Sequence, residues 1–363
     1  MKRFMVFGLT FLLLAPALFA EHANVMPARV GRFFIAPTFI NIDQRFNTSG
    51  ERTDEDVPPT RMFNLGFALE YGITSWITGA VQWAPGVNLW SDVDRIPRPD
   101  LQPPGQSSSG TIGVAGDVLI GAKIQIIGRE APMQSDLFRV AFAPGLIIPV
   151  PGPDFNNELG NRTPTVARLD NHVFGVGLRS FFDWIPSQFF YLNFYNEIRF
   201  FPQRGRFRDL GFEQAMQARG LRAETTMAYN AGVPGVVPID IGGNEVNFRY
   251  DLTFEIEPTF TYRLNDPLIA FEVGLPFTYF FTPGYTISGV PNLDQIPEPL
   301  RAAVTPQDQG SVHSLSLGPN VSAFFMDWPV PMEFRLSYTF PLWGQNAPLR
   351  HVVTLQVRTY FRL

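Results

Sequence analysis

The sequence predicts an all-β fold, a transmembrane antiparallel barrel of about twelve strands with short turns at one end and long loops at the other. Three observations predict it. The chain of 363 residues is 45% hydrophobic and carries 35 phenylalanines, yet only 17% of it is charged. After a leader-like start, no stretch of 18 apolar residues occurs, so a spanning helix is excluded. Instead, apolar and polar residues alternate with period two over ten or more positions, which is how a barrel distributes its apolar surface.

Residues 1–20 fit a secretory signal. Met1-Lys2-Arg3 is basic, Phe4 to Leu14 is mostly apolar, and Ala15-Pro16-Ala17 and Ala20 offer cleavage sites. Removal after Ala20 would leave 26 basic against 33 acidic residues, and no basic cluster appears, which argues against a nucleic-acid partner. Cysteine is absent, which excludes disulfides and thiolate metal sites. His22, His172, His313 and His351 are too scattered for a zinc site, and nothing calls for a cofactor.

Residues 21–31 read as a short periplasmic segment, and residues 32–363 as the barrel. The first strand, 32–45, is read with Phe34, Ala36, Ile40 and Ile42 outward and Asn41, Asp43 and Arg45 inward. Residues 62–73 place Phe63 to Ile73 outward at odd positions and Glu70 inward, and 76–85 follow weakly with Ile77, Val81 and Trp83. Segments 117–127, 137–149 and 172–182 turn Lys123, Arg139 and Arg179 inward. In 189–200, Glu197 and Arg199 face in. Residues 248–262 hold one phase throughout, with Phe248 to Tyr262 outward and Arg249, Asp251, Glu255 and Glu257 inward. Fifteen residues in register exceed the usual strand of about five or six. Segments 268–280 and 312–325 add Glu272, Ser314, Ser316, Asn320 and Ser322 to the inner face. Segments 332–342 and 353–363 add Glu333, Arg335, Arg358 and Arg362.

Connections after even strands are short and most of those after odd strands are long, the asymmetry of barrels with tight periplasmic turns. Phe182-Asp183-Trp184-Ile185-Pro186 and Met326-Asp327-Trp328-Pro329 read as two such turns. Ala84-Pro85-Gly86 and Ala143-Pro144-Gly145 interrupt two strands, marking either rim bends or a gap through which an apolar solute leaves sideways. The longest loop, 201–247, contains the uncharged run 231–239, expected either to constrict the lumen or to pack on the rim against 281–311.

Two stretches carry a family resemblance. Gly113-Val114-Ala115-Gly116-Asp117, continuing to Gly121 and Lys123, looks like a Gly-Asp-rich strand of outer-membrane proteins associated with the meta-cleavage pathway of phenol degradation. Leu69-Glu70-Tyr71-Gly72-Ile73-Thr74-Ser75-Trp76 resembles that family's hairpin turn. The family is similar to the long-chain fatty acid and aromatic hydrocarbon transporters of the outer membrane. The resemblance implies a barrel that admits small apolar molecules. Those fatty acid transporters begin with a plug bearing an Asn-Pro-Ala signature. Here about ten residues precede the first strand without that signature, so no N-terminal plug is expected. The terminal strand resembles the signal read by the outer-membrane assembly machinery, with Phe361 and Leu363 at its end.

The expected function is therefore an outer-membrane channel or transporter for small hydrophobic molecules. A general diffusion porin and a surface-binding protein working through its loops are the alternatives. A lipase-like triad is excluded because His313 and Ser314 fall on opposite faces. Inward charges have a structural reading too, since a barrel interior must pair its buried charges.

Overall fold

A computed structural model of the chain describes residues 22–54, 60–93, 109–110, 113–115, 117–149, 174–202, 205–206, 245–246, 249–287 and 307–362. The signal region 1–20 and the apolar run 231–239 lie outside the described residues.

Twelve spans form the wall: β1 (Val30–Phe46), β2 (Thr60–Gly72), β3 (Ile77–Val93), β4 (Val118–Gly128), β5 (Phe138–Ile148) and β6 (Gly175–Ser187) in its first half. The second half has β7 (Phe190–Phe201), β8 (Arg249–Asn265), β9 (Leu268–Gly274 with Phe277–Thr282), β10 (Val312–Leu317 with Asn320–Phe325), β11 (Met332–Gln345) and β12 (Pro348–Arg362). Each pairs antiparallel with the next. β12 then pairs with β1 from Val30↔Arg362 to Arg45↔Pro348, which closes the barrel. Twelve strands about 4.8 Å apart and tilted about 40° make a cylinder roughly 24 Å across between backbones.

Alternation dictates the two faces. Along β8, Asp251, Thr253, Glu255, Glu257 and Thr259 are buried, whereas Phe254, Ile256, Phe260 and Tyr262 are exposed on the outer surface. Val321, Leu336, Val353 and Leu355 extend this apolar belt around the far side. An outer surface of Phe, Leu, Ile and Val suits hydrocarbon rather than water.

β1 takes the phase opposite to the expected one. Phe34, Ala36, Ile40 and Ile42 are buried inside, and Phe33 and Phe39 are exposed. Both faces of this strand are apolar, so its alternation is ambiguous. Its few polar residues decide the phase: Arg32 reaches Glu70 of β2, Nε to Oε2 at 3.0 Å, and buried Thr38 meets Thr354 of β12 at 3.3 Å. Asp43 consequently lies exposed, at a bulge between Ile42 and Gln44.

Proline explains the irregularities. β9 breaks at Leu275-Pro276 and β10 at Gly318-Pro319, and the breaks lie side by side, with Gly318 N donating to Pro276 O at 2.9 Å. In β3, Pro85-Gly86 produces a mid-strand bulge rather than a rim bend, and the strand runs on to Val93. Gly86 has φ +81° there, and a Cβ would meet Leu65 O at 2.0 Å, so only glycine fits.

At the long-loop end, a separate four-stranded sheet joins Gly205–Arg206, Glu245–Val246, Tyr285–Ile287 and Gln307–Gln309. Both ends of loop 201–247 are thereby tied to loop 281–311 at the rim, through Val246↔Ile287.

Candidate functional site

The inner face of the wall places Glu70, Lys123, Arg139, Arg179, Glu197, Arg199, Asp251, Glu255, Glu257, Glu272, Glu333, Arg335 and Arg358 around one lumen. Arg362 is exposed at the end of β12 and does not line it, because the barrel rim has already been reached. Arg45 is half-buried near the outer end of β1, and the side chain of Arg249 lies outside the described set.

Most of these charges are matched across neighbouring strands. Glu197, buried on β7, sits 2.8 Å from Arg179 and 3.1 Å from Arg199. Arg179 also donates to Gln82 Oε1 at 2.9 Å. Glu257 receives Arg335 at 2.9 Å and Asn320 at 2.8 Å. Glu333 receives Arg358 at 3.0 Å and the Tyr360 hydroxyl at 2.7 Å. Glu255 and Asp251 accept from Thr278 and Thr282 at 2.7 and 2.9 Å. Pairing of this kind is what lets ionised groups stay in a narrow, poorly hydrated interior.

The segment before β1 does not stay outside the barrel. From Arg29, whose N donates to Gly72 O at 2.8 Å, residues 22–28 turn into the lumen. The turn passes so close to β2 that a Cβ on Gly72 would meet Pro27 O at 2.0 Å. Met26 N donates to Thr78 Oγ1 at 2.7 Å. Gln125 Nε2 donates to Ala23 O at 2.9 Å, and Lys123 Nζ donates to His22 O and Asn24 O at 3.1 and 3.3 Å. Ala23 is completely buried, packed with Ala141, Phe181 and Tyr195, and its N donates to both oxygens of Asp183 at 3.2 and 3.0 Å. His22 meets the Tyr191 hydroxyl and lies 3.7 Å from Glu272. Burial acts to lower the pKa of His22, but the Glu272 hydrogen bond and charge, backed by Asp183 and Glu257, raise it above the ordinary value.

An N-terminal plug, not expected from the sequence, is thus present in abbreviated form. Asp183 is the residue that sequence reasoning misplaced. Its sequence context reads as a turn, but β6 continues to Ser187 and leaves the turn to Gln188 and Phe189. That puts Asp183 on the inner face, fully buried, where Asn193 donates to it at 2.7 Å and Arg139 stands 3.6 Å away. Lys123 stands opposite Thr78 of β3 in the register and donates to the plug's backbone carbonyls.

Beside the plug lies a small cavity that opens to the lumen. Its wall is made of Ala68, Ala80, Leu119, Gly121, Ala122, Ala143, Pro144, Gly145, Gly177 and Phe181. Met26 and Asn24 of the plug also line it, and Glu70, Thr78, Gln82, Lys123, Arg179 and Glu197 make up its polar part. The β4–β5 ladder is interrupted at this wall. Register pairs run from Val118↔Ile148 to Gly121↔Gly145 and resume at Ile124↔Phe142. Pro144, which has no N–H, lies in the interval. Small residues close the gap; a Cβ on Gly121 would meet Pro144 O at 2.6 Å.

No known family profile matches the chain, and no curated protein matches its sequence. Solved structures do match in fold. An outer-membrane channel of Pseudomonas putida F1 superposes with TM-score 0.58 at 11% identity, covering 93% of this chain and 98% of that one. The P. putida toluene transporter gives TM-score 0.38 at 8% identity, covering 97% and 95%. The Ralstonia pickettii toluene transporter gives 0.34 at 8%, covering 93% and 90%. The first of these likenesses establishes that the chain has the fold of an outer-membrane β-barrel channel.

Proposed function

We propose that this protein is an outer-membrane channel that admits small apolar molecules, without catalysis. The observation that carries the reading is the cavity beside the plug. It is walled mainly by small and apolar side chains and abuts the interrupted β4–β5 ladder, so an apolar solute has both a place to sit and a thin part of the wall beside it. The lumen's remaining volume is crossed by ion pairs and by residues 22–28, which does not suit the wide aqueous path of a general porin. The strand pattern and the motifs at 69–76 and 113–123 support the same reading, through the resemblance they carry. The strand 353–363 would serve as the address for assembly into the membrane.

The test is uptake in cells. Cells lacking other routes and expressing this protein should take up a labelled monoaromatic hydrocarbon faster than controls, with no gain for a disaccharide. Gly121→Leu, which pushes a side chain against Pro144 O, should remove the gain while leaving a folded barrel. Rapid disaccharide entry with large steady conductance would favour the porin.

A further inference from the structure

A row of polar side chains runs around the lumen wall from β5 to β11, and its hydrogen-bond polarity fails at one point. Arg139 stands 3.6 Å from Asp183, and Asn193 Nδ2 donates to Asp183 at 2.7 Å. From the other side, Arg335 and Asn320 both donate to Glu257 Oε1, at 2.9 and 2.8 Å. Asn193 and Glu257 lie directly opposite each other in the β7–β8 register. With Nδ2 drawn to β6, Asn193 turns its carbonyl oxygen toward β8, so acceptor meets acceptor. Asn193 Oδ1 and Glu257 Oε2 are both without a hydrogen-bond partner, although both residues are entirely buried. Glu255, on the same inner face of β8 and also buried, adds a third such atom. Thr278 donates to its Oε2 at 2.7 Å, and its Oε1 has no partner. An unsatisfied buried acceptor costs about 1–3 kcal/mol, and more when it is charged.

The charges say what belongs between these atoms. Asp183 has Arg139, Glu257 has Arg335, and Glu272 has His22 at 3.7 Å. Glu255 forms no ion pair among the described residues. One buried negative charge is thus uncompensated, and such a charge needs a counter-charge. Water would satisfy the acceptors but leave that charge standing, and a divalent ion would exceed it. The three atoms are carboxylate and amide oxygens, and His22 is already engaged by Tyr191 and Glu272. Such a set suits a hard cation and not zinc. We propose that Asn193 Oδ1, Glu257 Oε2 and Glu255 Oε1 form a binding site for one alkali-metal cation. The ion would hold the Asn193 amide in the orientation that donates to Asp183, the residue that in turn accepts from Ala23 N of the plug.

The test is the ion dependence of stability, read in urea titrations of the whole protein folded into neutral lipid vesicles. Sodium is exchanged against choline, a quaternary ammonium with no N–H to donate, at constant chloride and ionic strength. One ion bound only by the folded state raises the folded-to-unfolded ratio about tenfold for each tenfold rise in its concentration above the dissociation constant. The series is run with sodium and again with potassium, and at least one should give that slope. Glu255→Gln keeps an acceptor for Thr278 but removes the uncompensated charge. Its slope should vanish, and its stability in choline alone should equal or exceed that of wild type. Glu333→Gln, which unpairs Arg358, should lower stability but keep the slope. Three results would overturn the proposal: no slope with either ion, a slope that survives Glu255→Gln, or a Glu255→Gln barrel less stable than wild type in choline. So would a stability that ignores both ions and falls as pH rises past neutrality, because a carboxyl proton shared between Glu255 and Glu257 would then bridge the oxygens.

Discussion

The residue on which the plug hangs is Asp183, and Asp183→Asn is the sharpest perturbation of it. The substitution keeps size and shape but removes the charge. In the native lumen the carboxylate accepts from Ala23 N and from Asn193 Nδ2, with Arg139 close by. A hydrogen bond to a charged group contributes about 1.5–3 kcal/mol. The amide retains one acceptor, so the plug loses the charge assistance on Ala23 N, about 2 kcal/mol, or roughly thirtyfold in the seated-to-displaced ratio. The assay is single-channel recording in planar bilayers. Wild type should show a small conductance with rare larger openings. Asp183→Asn should show those openings roughly thirtyfold more often, at the same amplitude. Deleting residues 22–27 should make that amplitude permanent. If the deletion, in a barrel verified as folded, leaves the trace unchanged, residues 22–28 do not obstruct the ion path and the reasoning fails.

Other outcomes follow from the same geometry. Gly72→Val sets side-chain atoms against Pro27 O, so it should phenocopy the plug deletion in conductance while barrel folding yield holds. His22 has a raised pKa in the seated plug, so its contribution is present below the unfolded value and is lost as pH rises through the folded one; openings should therefore become more frequent on the alkaline side, and His22→Gln should flatten that dependence. Phe254→Arg places a charge on the lipid face of β8 and should cost about 2–4 kcal/mol near the midplane in vesicle folding titrations, whereas Thr253→Ser, in the lumen, should cost little.

Period-two alternation made most of the wall legible. On β8 the polar positions up to Arg263 are charged or hydroxylic and the apolar ones, Pro258 apart, aromatic or branched, so one reading exists. On β1 both faces are apolar, and the phase depends on Arg32 and Thr38 finding Glu70 and Thr354 on other strands, which is tertiary information. Asp183 was hidden for a related reason. Its neighbours Trp184 and Pro186 are turn-like, and how far a strand runs before turning is set by pairing with β7. The plug was the least legible part. Apart from the His22 ring and the Ala23 methyl, its contacts go through backbone N and O atoms of His22, Ala23, Asn24 and Met26, and backbone contacts leave no mark on side-chain choice. Only the lumen residues that receive them do, and Lys123 and Gln125 each have an alternative use in pairing with neighbours.

The β1–β12 seam has a further consequence, for the order of events in folding. Thr38 and Thr354 meet across 316 positions of sequence, so the seam closes the largest loop in the chain. Closing so large a loop carries a high entropic cost that no local contact offsets beforehand. All other neighbouring spans can pair as hairpins or across single loops, and β12 is the final one to leave the ribosome. Until it arrives, the sheet has two free edges with unpaired N–H and C=O groups, a state that invites pairing with other chains. A chain cut before Pro348 would thus be an open eleven-stranded sheet rather than a smaller barrel, with its inward charges and its plug facing water, and its fate would be aggregation or proteolysis.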